Sequence, residues 1–419
     1  MLFPLAKQWW LNDPKIIRLY EILEKQGEVR FVGGCVRNGL LNKTVYDIDL
    51  ATNIKPLDTI KILQEIGIKT AAPGLKHGTV LAIIDDITVE ITTLRQDIQT
   101  DGRHAVVAFT SDWKKDASRR DFTINAIYCD KNGNLYDPFN GLGDLAKGYI
   151  RFIGNAQDRI SEDNLRLLRY FRFYAYYGKI EPTQKILNIL HDNSYKLNTL
   201  SGERIRIELE KLLAAPDPFS SINLMHTTTV LSYIILSDNI DFTLFKNLID
   251  LENWLKKNVS ISIPFNWLRR LYILNNQNKK TLFILCNKLK LSNKERIYIR
   301  NICKNLFISP KLSKNQLKSL IYKIGKILII DFLLLNWAKE FNNNEFHLRQ
   351  KDWIELLNFI CNEKIPIFPL KGSDLLSLGV KPGPQLGKIF KETETWWLDH
   401  GLTGNKLSCL NYVKNILKS

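Results

Sequence analysis

The chain is poor in cysteine for its 419 residues: Cys35, Cys129, Cys286, Cys303, Cys361 and Cys409 stand far apart, with no C-x-x-C spacing. That excludes a disulfide-stapled scaffold and a cysteine zinc knuckle, and predicts reduced, mostly buried thiols in a cytosolic protein. Long apolar runs are missing too. The longest, Ile327 to Ala338, is interrupted by Asp331 and Asn336 and falls short of the roughly 20 residues a bilayer span needs, so no membrane association is expected. The opening MLFPLAKQWWLNDPK has no basic lead-in and no small-residue cleavage site, which argues against a secretory signal. Internal repeats and low-complexity segments are absent. Histidine is scarce, and His191-Asp192 has no partner histidines at usable spacing, which excludes a metal-dependent phosphohydrolase domain.

Negative charge is in deficit. Lys and Arg number 59 against 43 Asp and Glu, a net +16 that suits a polyanionic partner. The excess is regional: between Leu251 and Ile330 seventeen Lys or Arg face only Glu252 and Glu295, leaving about +1 for the rest of the chain. Trp254, Phe265, Trp267, Leu271, Leu282 and Leu289 interleave with these charges at helical spacing, predicting packed helices with a basic outer face. Arg269, Arg270, Lys279 and Lys280 are expected on that face. A merely solvated helix surface is the alternative.

At 45% hydrophobic and 24% charged the chain is globular, and its length suits two or three structural units. The pattern changes near residue 150. Before it, EVRFVGG, YDIDLAT, TVLAII and ITVEIT read as strands, the last two joined across Asp85-Asp86 as a hairpin. A helix is predicted to open at Lys55-Pro56, with Asn53 near its cap, and to run toward Gly67. After residue 150 the periodicity is almost wholly 3.6, with loops at Ala215-Pro216-Asp217-Pro218, Ser309-Pro310 and residues 382–384. The fold class is therefore α+β: a mixed sheet with helices, then helices.

Three constellations carry chemistry. Gly33-Gly34 ends a strand-like run just before a possible helix, a turn in which backbone N–H groups can approach a phosphate, although such turns are often structural only. Asp47 and Asp49 follow at i and i+2 on one strand, hence on one face, and repel each other unless cations lie between them. Oxygen-only ligation suits Mg²⁺, and two such ions can activate an attacking hydroxyl and stabilise a leaving pyrophosphate. Glu90, on the second hairpin strand, is either a third carboxylate or an exposed strand residue. In Ser118 to Ala126, Arg119, Arg120 and Asp121 stand together, suiting phosphate oxygens and ribose hydroxyls, with a surface ion pair as the alternative. In Ser161 to Phe173, Ser161 looks like an N-cap, and Asp163 and Arg166 are helix neighbours, with Arg169 and Arg172 extending a basic row. From spacing alone, an i,i+3 salt bridge on an ordinary amphipathic helix is the favoured explanation of that pair.

GGCVRNGLLNKTVYDIDLAT, RRDFTINAI, DPFNGLGDL, EDNLRLLRYFRF and SGERIRIELEKLL, in this order from Gly33 to about Leu213, resemble the five motifs of the class II tRNA nucleotidyltransferases. These are the CCA-adding enzymes, which share a superfamily with bacterial poly(A) polymerases. Gly372 to Leu398 resembles their tail more weakly. The resemblance implies a polymerase-β-like catalytic head over 1–150, a helical neck over 151–215, and a basic, tRNA-binding body and tail over 216–419. It implies two Mg²⁺ ions on Asp47 and Asp49, to which Glu90, from its strand position, is the candidate third metal carboxylate. Gly33, Gly34, Arg37 and Arg120 would surround the triphosphate, with Asp121 at the ribose. Asn125 and Arg169 would join them in nucleotide binding, and Asp163 with Arg166 would read the incoming base. Leu94 to His104, with Arg95, Asp97, Asp101 and Arg103, corresponds to the flexible loop needed for the final adenosine. The implied activity is addition of C, C and A to tRNA from CTP and ATP. A poly(A) polymerase or partial CCA-adding enzyme is the runner-up, and a non-catalytic RNA-binding protein the reading from another class. Oligomeric state is not legible.

Overall fold

The four β-rich runs do become strands. The computed structural model describes residues 2–101, 104–236, 239–341 and 346–418, grouped in two compact units, Met1–Ile234 and Ile235–Ser419. In the first unit the strands are β1 (Val29–Val32), β2 (Ile48–Thr52), β3 (Lys69–Gly74), β4 (Thr79–Ile84), β5 (Ile87–Thr93), β6 (Arg95–Asp101), β7 (His104–Phe109), β8 (Tyr128–Cys129) and β9 (Leu135–Tyr136). Seven form one sheet in the order β3-β4-β5-β2-β1-β8-β9, antiparallel except for the parallel pair β2/β5. The β4–β5 hairpin turns at Asp85-Asp86 as predicted, with Asp85 at φ +55°.

The helices of this unit are α1 (Pro14–Glu24), α2 (Gly34–Leu40), α3 (Pro56–Glu65), α4 (Trp113–Ser118), α5 (Gly141–Lys147), α6 (Ala156–Glu162), α7 (Leu165–Tyr177), α8 (Gln184–Asp192), α9 (Gly202–Leu213) and α10 (Phe219–Thr227). α3 starts where Pro56 suggests, but its N-cap is Lys55; Asn53 instead accepts a hydrogen bond from the Glu28 N–H at 2.9 Å. The segment expected as a flexible loop is drawn as the antiparallel pair β6/β7. α7 packs against α9 and α10, and Phe122 meets Phe152, Tyr170 and Phe173 in tilted ring contacts, tying the segment after α4 to α7.

The second unit is helical among its described residues: α11 (Phe242–Asn258), α12 (Trp267–Leu274), α13 (Lys279–Lys288), α14 (Asn293–Ile302), α15 (Lys314–Ile324), α16 (Lys326–Glu340), α17 (Phe346–Asn362), α18 (Gly372–Leu376), α19 (Pro384–Asp399) and α20 (Lys406–Lys418). The long apolar run is α16, buried from Leu328 to Ala338, with α11, α14, α15 and α17 around it. A helix apolar on every side belongs at a core's centre. A separate cluster around Trp397, Leu375 and Cys409 holds α18 to α20 together. Four cysteines are buried, two are partly buried, and all six are free.

Two residues expected on the basic face are not there. Arg269 and Arg270 are 1% and 3% exposed, held by Glu252 through Arg269 Nη2 to Oε1 and Arg270 Nη2 to Oε2, both at 2.6 Å. Arg269 also pairs with Asp331, which accepts from Tyr298 Oη at 2.7 Å. The carboxylates that absorb this charge lie 17 and 62 residues away from Arg269, so no local pattern announces them. Burial works against the Arg269 cation, and Glu252 and Asp331 overcome it, raising its pKa. Removing one partner of a buried ion network leaves an uncompensated charge. Arg269→Met is therefore expected to cost this unit about 3–5 kcal/mol in denaturant unfolding. Unchanged stability with weakened RNA binding would return Arg269 to the surface. Lys279 and Lys280 are exposed, as are Lys256, Lys257, Lys294 and Arg300.

Candidate active site

Gly33 sits at φ +72°, a conformation side-chain-bearing residues avoid, and a Cβ there would lie 3.6 Å from Asp49 Oδ2 and 3.9 Å from Arg120 Nη1. The glycine thus keeps open the narrow space between a carboxylate and a guanidinium. α2, opening at Gly34, has only seven residues, so the positive field here comes from arginines rather than from a helix end.

Asp47 precedes β2 and Asp49 lies within it, with buried Ile48 between them. Parallel register places Glu90 opposite Asp49, and register partners share a face of the sheet. Asp47 and Glu90 are exposed and Asp49 is partly buried. Burial, and then Glu90 and Asp47, push the Asp49 carboxyl up to about 6 against the opposing pull of Arg120 and Arg37. Crowded carboxylates of this kind are relieved by a cation. Among the described residues no three His, Cys, Asp or Glu side chains converge as a ready metal-ligand set, so the donor chemistry of the Asp pair is what fits a metal.

Arg37 is 8% exposed and bonds only to neutral groups: Asn125 Oδ1 and, at 3.3 Å, Asn38 Oδ1. The Phe173 and Tyr177 rings cover it at 5.2 and 4.6 Å. It has no carboxylate partner among the described residues, and burial lowers its pKa. A buried guanidinium in no direct ion pair, facing an open cavity, suits an anion. Arg120 is pinned from the far side: Nη2 donates to Asp116 Oδ2 at 3.1 Å and Nε to Tyr128 Oη at 3.2 Å. Asp116, 1% exposed, also binds Arg119 at 2.7 Å and accepts from the Arg95 N–H. Burial would raise its carboxyl, but Arg120 and Arg119 hold it well below the usual carboxylate range. Sequence reasoning missed this hub, although its spacing to Arg119 and Arg120, three and four residues along, was a readable signal.

Asp121 is bonded on both carboxylate oxygens by protein groups. Oδ1 accepts from the Phe122 N–H and Asn125 Nδ2, both at 2.9 Å, and Oδ2 from Arg169 Nε at 2.6 Å and from its Nη2. Its four acceptor directions are taken. Asp121 therefore orients Asn125 and Arg169, and burial is outweighed by Arg169 in keeping its carboxyl low.

The expected single helix from Ser161 is two. α6 ends at Glu162 and α7 begins at Leu165, with Asp163 extended between them at φ −151° and ψ 107°, and Asn164 rather than Ser161 at the α7 cap. Asp163 and Arg166 do not pair with each other. Arg204 Nη2, from α9, donates to Asp163 Oδ1 and Oδ2 at 3.0 and 2.8 Å, and Oδ1 also accepts from the Leu165 N–H. Arg166 pairs with Glu162 through Nη1, which also reaches the Arg159 carbonyl, while Nη2 donates to the Arg119 carbonyl at 3.1 Å. Arg169 and Arg172 converge on buried Glu208. Arg204 and Glu208 are 41 and 36 residues from their partners Asp163 and Arg172, and sequence spacing had no means to find them.

One cavity of about 480 Å³ joins these groups: Gly33, Gly34 and Asp49 on one wall, Arg37, Arg120, Asp121 and Asn125 on another, and Asp163, Arg166 and Arg169 on a third. Five arginines against three aspartates line it. Asp47 and Glu90 stand outside its lining. Next to it, a second cavity of about 370 Å³ is bounded by Asp97, Arg119, Arg159 and Glu162. Arg95 keeps Nε and Nη1 buried and unbonded among the described residues. Arg103 and the side chain of Asp101 lie outside the described residues.

Family models match residues 29–151, described as poly A polymerase head domain, 180–237, as RNA and SrmB-binding site of polymerase A, and 266–413, as tRNA nucleotidyltransferase domain 2. The mitochondrial CCA tRNA nucleotidyltransferase 1 of Danio rerio is 34% identical over 91% of this chain and 86% of its own. The CCA-adding enzyme of Streptococcus mutans is 31% identical over 92% and 93%. The crystal structure of the Bacillus stearothermophilus CCA-adding enzyme with CTP has a similar fold, with a TM-score of 0.74 at 23% identity over 99% of this chain and 98% of that one. The Thermotoga maritima enzyme complexed with tRNA gives 0.63 at 23% identity, over 100% and 99%.

Proposed function

The chain belongs to the CCA tRNA nucleotidyltransferase family, and from that premise we propose how its own residues divide the work of adding C, C and A to the 3′ end of tRNA. The substrates are CTP, ATP and a tRNA end, and the family works with divalent metal. The cavity that unites a buried Arg37, in no direct ion pair among the described residues, with Asp163 and Arg166 is the observation that carries the division of roles. Phosphates sit toward Arg37 and Arg120, and the base sits toward Asp163 and Arg166.

Asp47 and Asp49 would hold Mg²⁺, for which carboxylate oxygens are suited, with Glu90 adding its charge from the neighbouring strand. When bound, the metal lowers the pKa of the attacking 3′-hydroxyl and neutralises charge on the reacting phosphate. Gly33 and Gly34 leave the triphosphate room beside Asp49. Arg37 and Arg120 take up the negative charge that grows on the pyrophosphate as it leaves, Arg120 being held in place by Asp116. Asp121 aims Arg169 and Asn125 into the cavity. Residues 1–150 act as catalytic head and 151–215 as the neck that carries the base reader. The exposed lysines and arginines of 216–419 meet the tRNA backbone, a contact that depends on counterion release. Six free cysteines suit a reducing compartment such as the cytosol.

A tRNA lacking its end, incubated with CTP and ATP singly and together, is expected to gain one CCA when its 3′ ends are sequenced. CTP alone should stop at two cytidines. A long A tract on generic RNA would identify a poly(A) polymerase instead, and a halt after CC with both nucleotides present would identify a partial enzyme.

A further inference from the structure

Tyr46 is 84% exposed, the most exposed aromatic ring in the described structure, and it directly precedes Asp47. It makes no hydrogen bond, ion pair or ring contact among the described residues. A single exposed apolar side chain needs no explanation in general. Its position gives this one significance. Val45 before it is 6% exposed and Ile48 after it 1%, so the ring is presented to solvent between two buried side chains.

The reaction geometry says what can meet it. In phosphoryl transfer the attacking and leaving oxygens lie roughly in line. The arginines that receive the pyrophosphate line the cavity together with Asp49, whereas Asp47 is outside that lining. The RNA 3′-hydroxyl therefore arrives on the Asp47 side, within one residue, about 3.8 Å along the backbone, of Tyr46. The nucleotide that carries this hydroxyl has a base with a π-face, and bases stack on exposed aromatic rings without regard to sequence. Such tolerance is what this reaction demands, because the terminal base of the acceptor changes after each addition.

We propose that Tyr46 is the stacking platform for the terminal base of the RNA acceptor, holding the 3′-hydroxyl beside Asp47. This rests on the function proposed above. The base of the incoming nucleotide has a different seat, at Asp163 and Arg166, so the two possible stacking partners separate by which substrate loses affinity.

The test compares Tyr46→Ala, Tyr46→Phe and Tyr46→Trp with wild type, using tRNA ending just before, within, and one short of CCA. Tyr46→Ala is expected to raise KM for all three tRNAs by about tenfold, while KM for CTP and ATP moves less than twofold. Phe and Trp should restore KM to near the wild-type value. A 2-aminopurine at the acceptor's 3′ terminus should be quenched on binding wild type, Phe or Trp variants at saturating protein, and remain bright on Tyr46→Ala. Equal KM for tRNA and equal quenching in Tyr46→Ala would overturn the proposal, as would a rise in KM for CTP matching that for tRNA. The wild type separates the two readings: if it extends the tRNA while Tyr46→Ala behaves identically, stacking alone fails. If it adds nothing to any tRNA, the function fails and stacking with it.

Discussion

Asp49→Ala is expected to stop incorporation of both C and A, by at least about 10³-fold in single-turnover rate, while tRNA still binds. The same result is expected for Asp47→Ala. Both additions use one pair of carboxylates, so no variant at these positions should spare one nucleotide and lose the other. The burial-raised Asp49 carboxyl shows why the site is intolerant: its negative charge is already opposed by Glu90 and Asp47 and is kept by Arg120 and Arg37. Glu90→Gln isolates the third carboxylate. If Glu90 acts only through its charge, this variant should lose less than about tenfold, because an exposed neighbour interacts through solvent. The measurement is incorporation of labelled CMP and AMP at saturating magnesium, with tRNA binding followed separately. Near-wild-type turnover in either Asp variant would remove the metal assignment altogether.

Local pattern carried the sequence reading a long way. The alternation around Asp47 and Asp49 gave the strand, which starts at Ile48, one residue after Asp47. The hairpin at Asp85-Asp86 placed Glu90, and parallel pairing of β2 with β5 then brought it opposite Asp49, a pairing no local signal contains. The arginine doublet suggested a phosphate site, but the reading did not include Asp116, which pairs with both arginines from three and four residues away. Asp121 was read as a ligand contact because aspartate beside arginine suits a ribose. Its protein partners, Phe122, Asn125 and Arg169, were not part of that reading, and the last lies 48 residues away. Arg269 and Arg270 show the same limit in reverse. Charge clustered along the chain reads as surface, and only tertiary packing reveals that Glu252 and Asp331 bury it. Local spacing narrows the candidates for partners within a turn or a strand without choosing among them, and for partners from other elements it is silent.

The three-dimensional arrangement removes the i,i+3 salt bridge that spacing alone favoured for Asp163 and Arg166, the residues proposed to read the base. An i,i+3 salt bridge would have Asp163 and Arg166 satisfying each other. They do not. Asp163 is fixed by Arg204 and the Leu165 N–H, which together take three of its four acceptor directions, leaving one on Oδ2. Arg166 spends Nη1 on Glu162 and the Arg159 carbonyl and one Nη2 hydrogen on the Arg119 carbonyl, leaving Nε–H and a second Nη2 hydrogen. One free acceptor beside free donors matches the amine and unprotonated ring nitrogen that cytosine and adenine share. Uracil and guanine present a carbonyl and a ring N–H in those places, setting acceptor against carboxylate and donor against guanidinium. Each mispaired, desolvated group should cost about 1–3 kcal/mol, so two together reject UTP and GTP strongly. Asp163→Ala and Arg166→Ala are thus expected to slow CTP and ATP use and also to lower the CTP:UTP and ATP:GTP ratios of kcat/KM by about ten- to hundredfold. Arg204→Gln should erode the same ratios more mildly, because it frees the carboxylate to turn without removing it. The measurement is kcat/KM for all four nucleotides on each variant. If CTP and ATP slowed while both ratios stayed put, Asp163 and Arg166 would be shaping the cavity wall, and the choice of base would have to be made elsewhere along it.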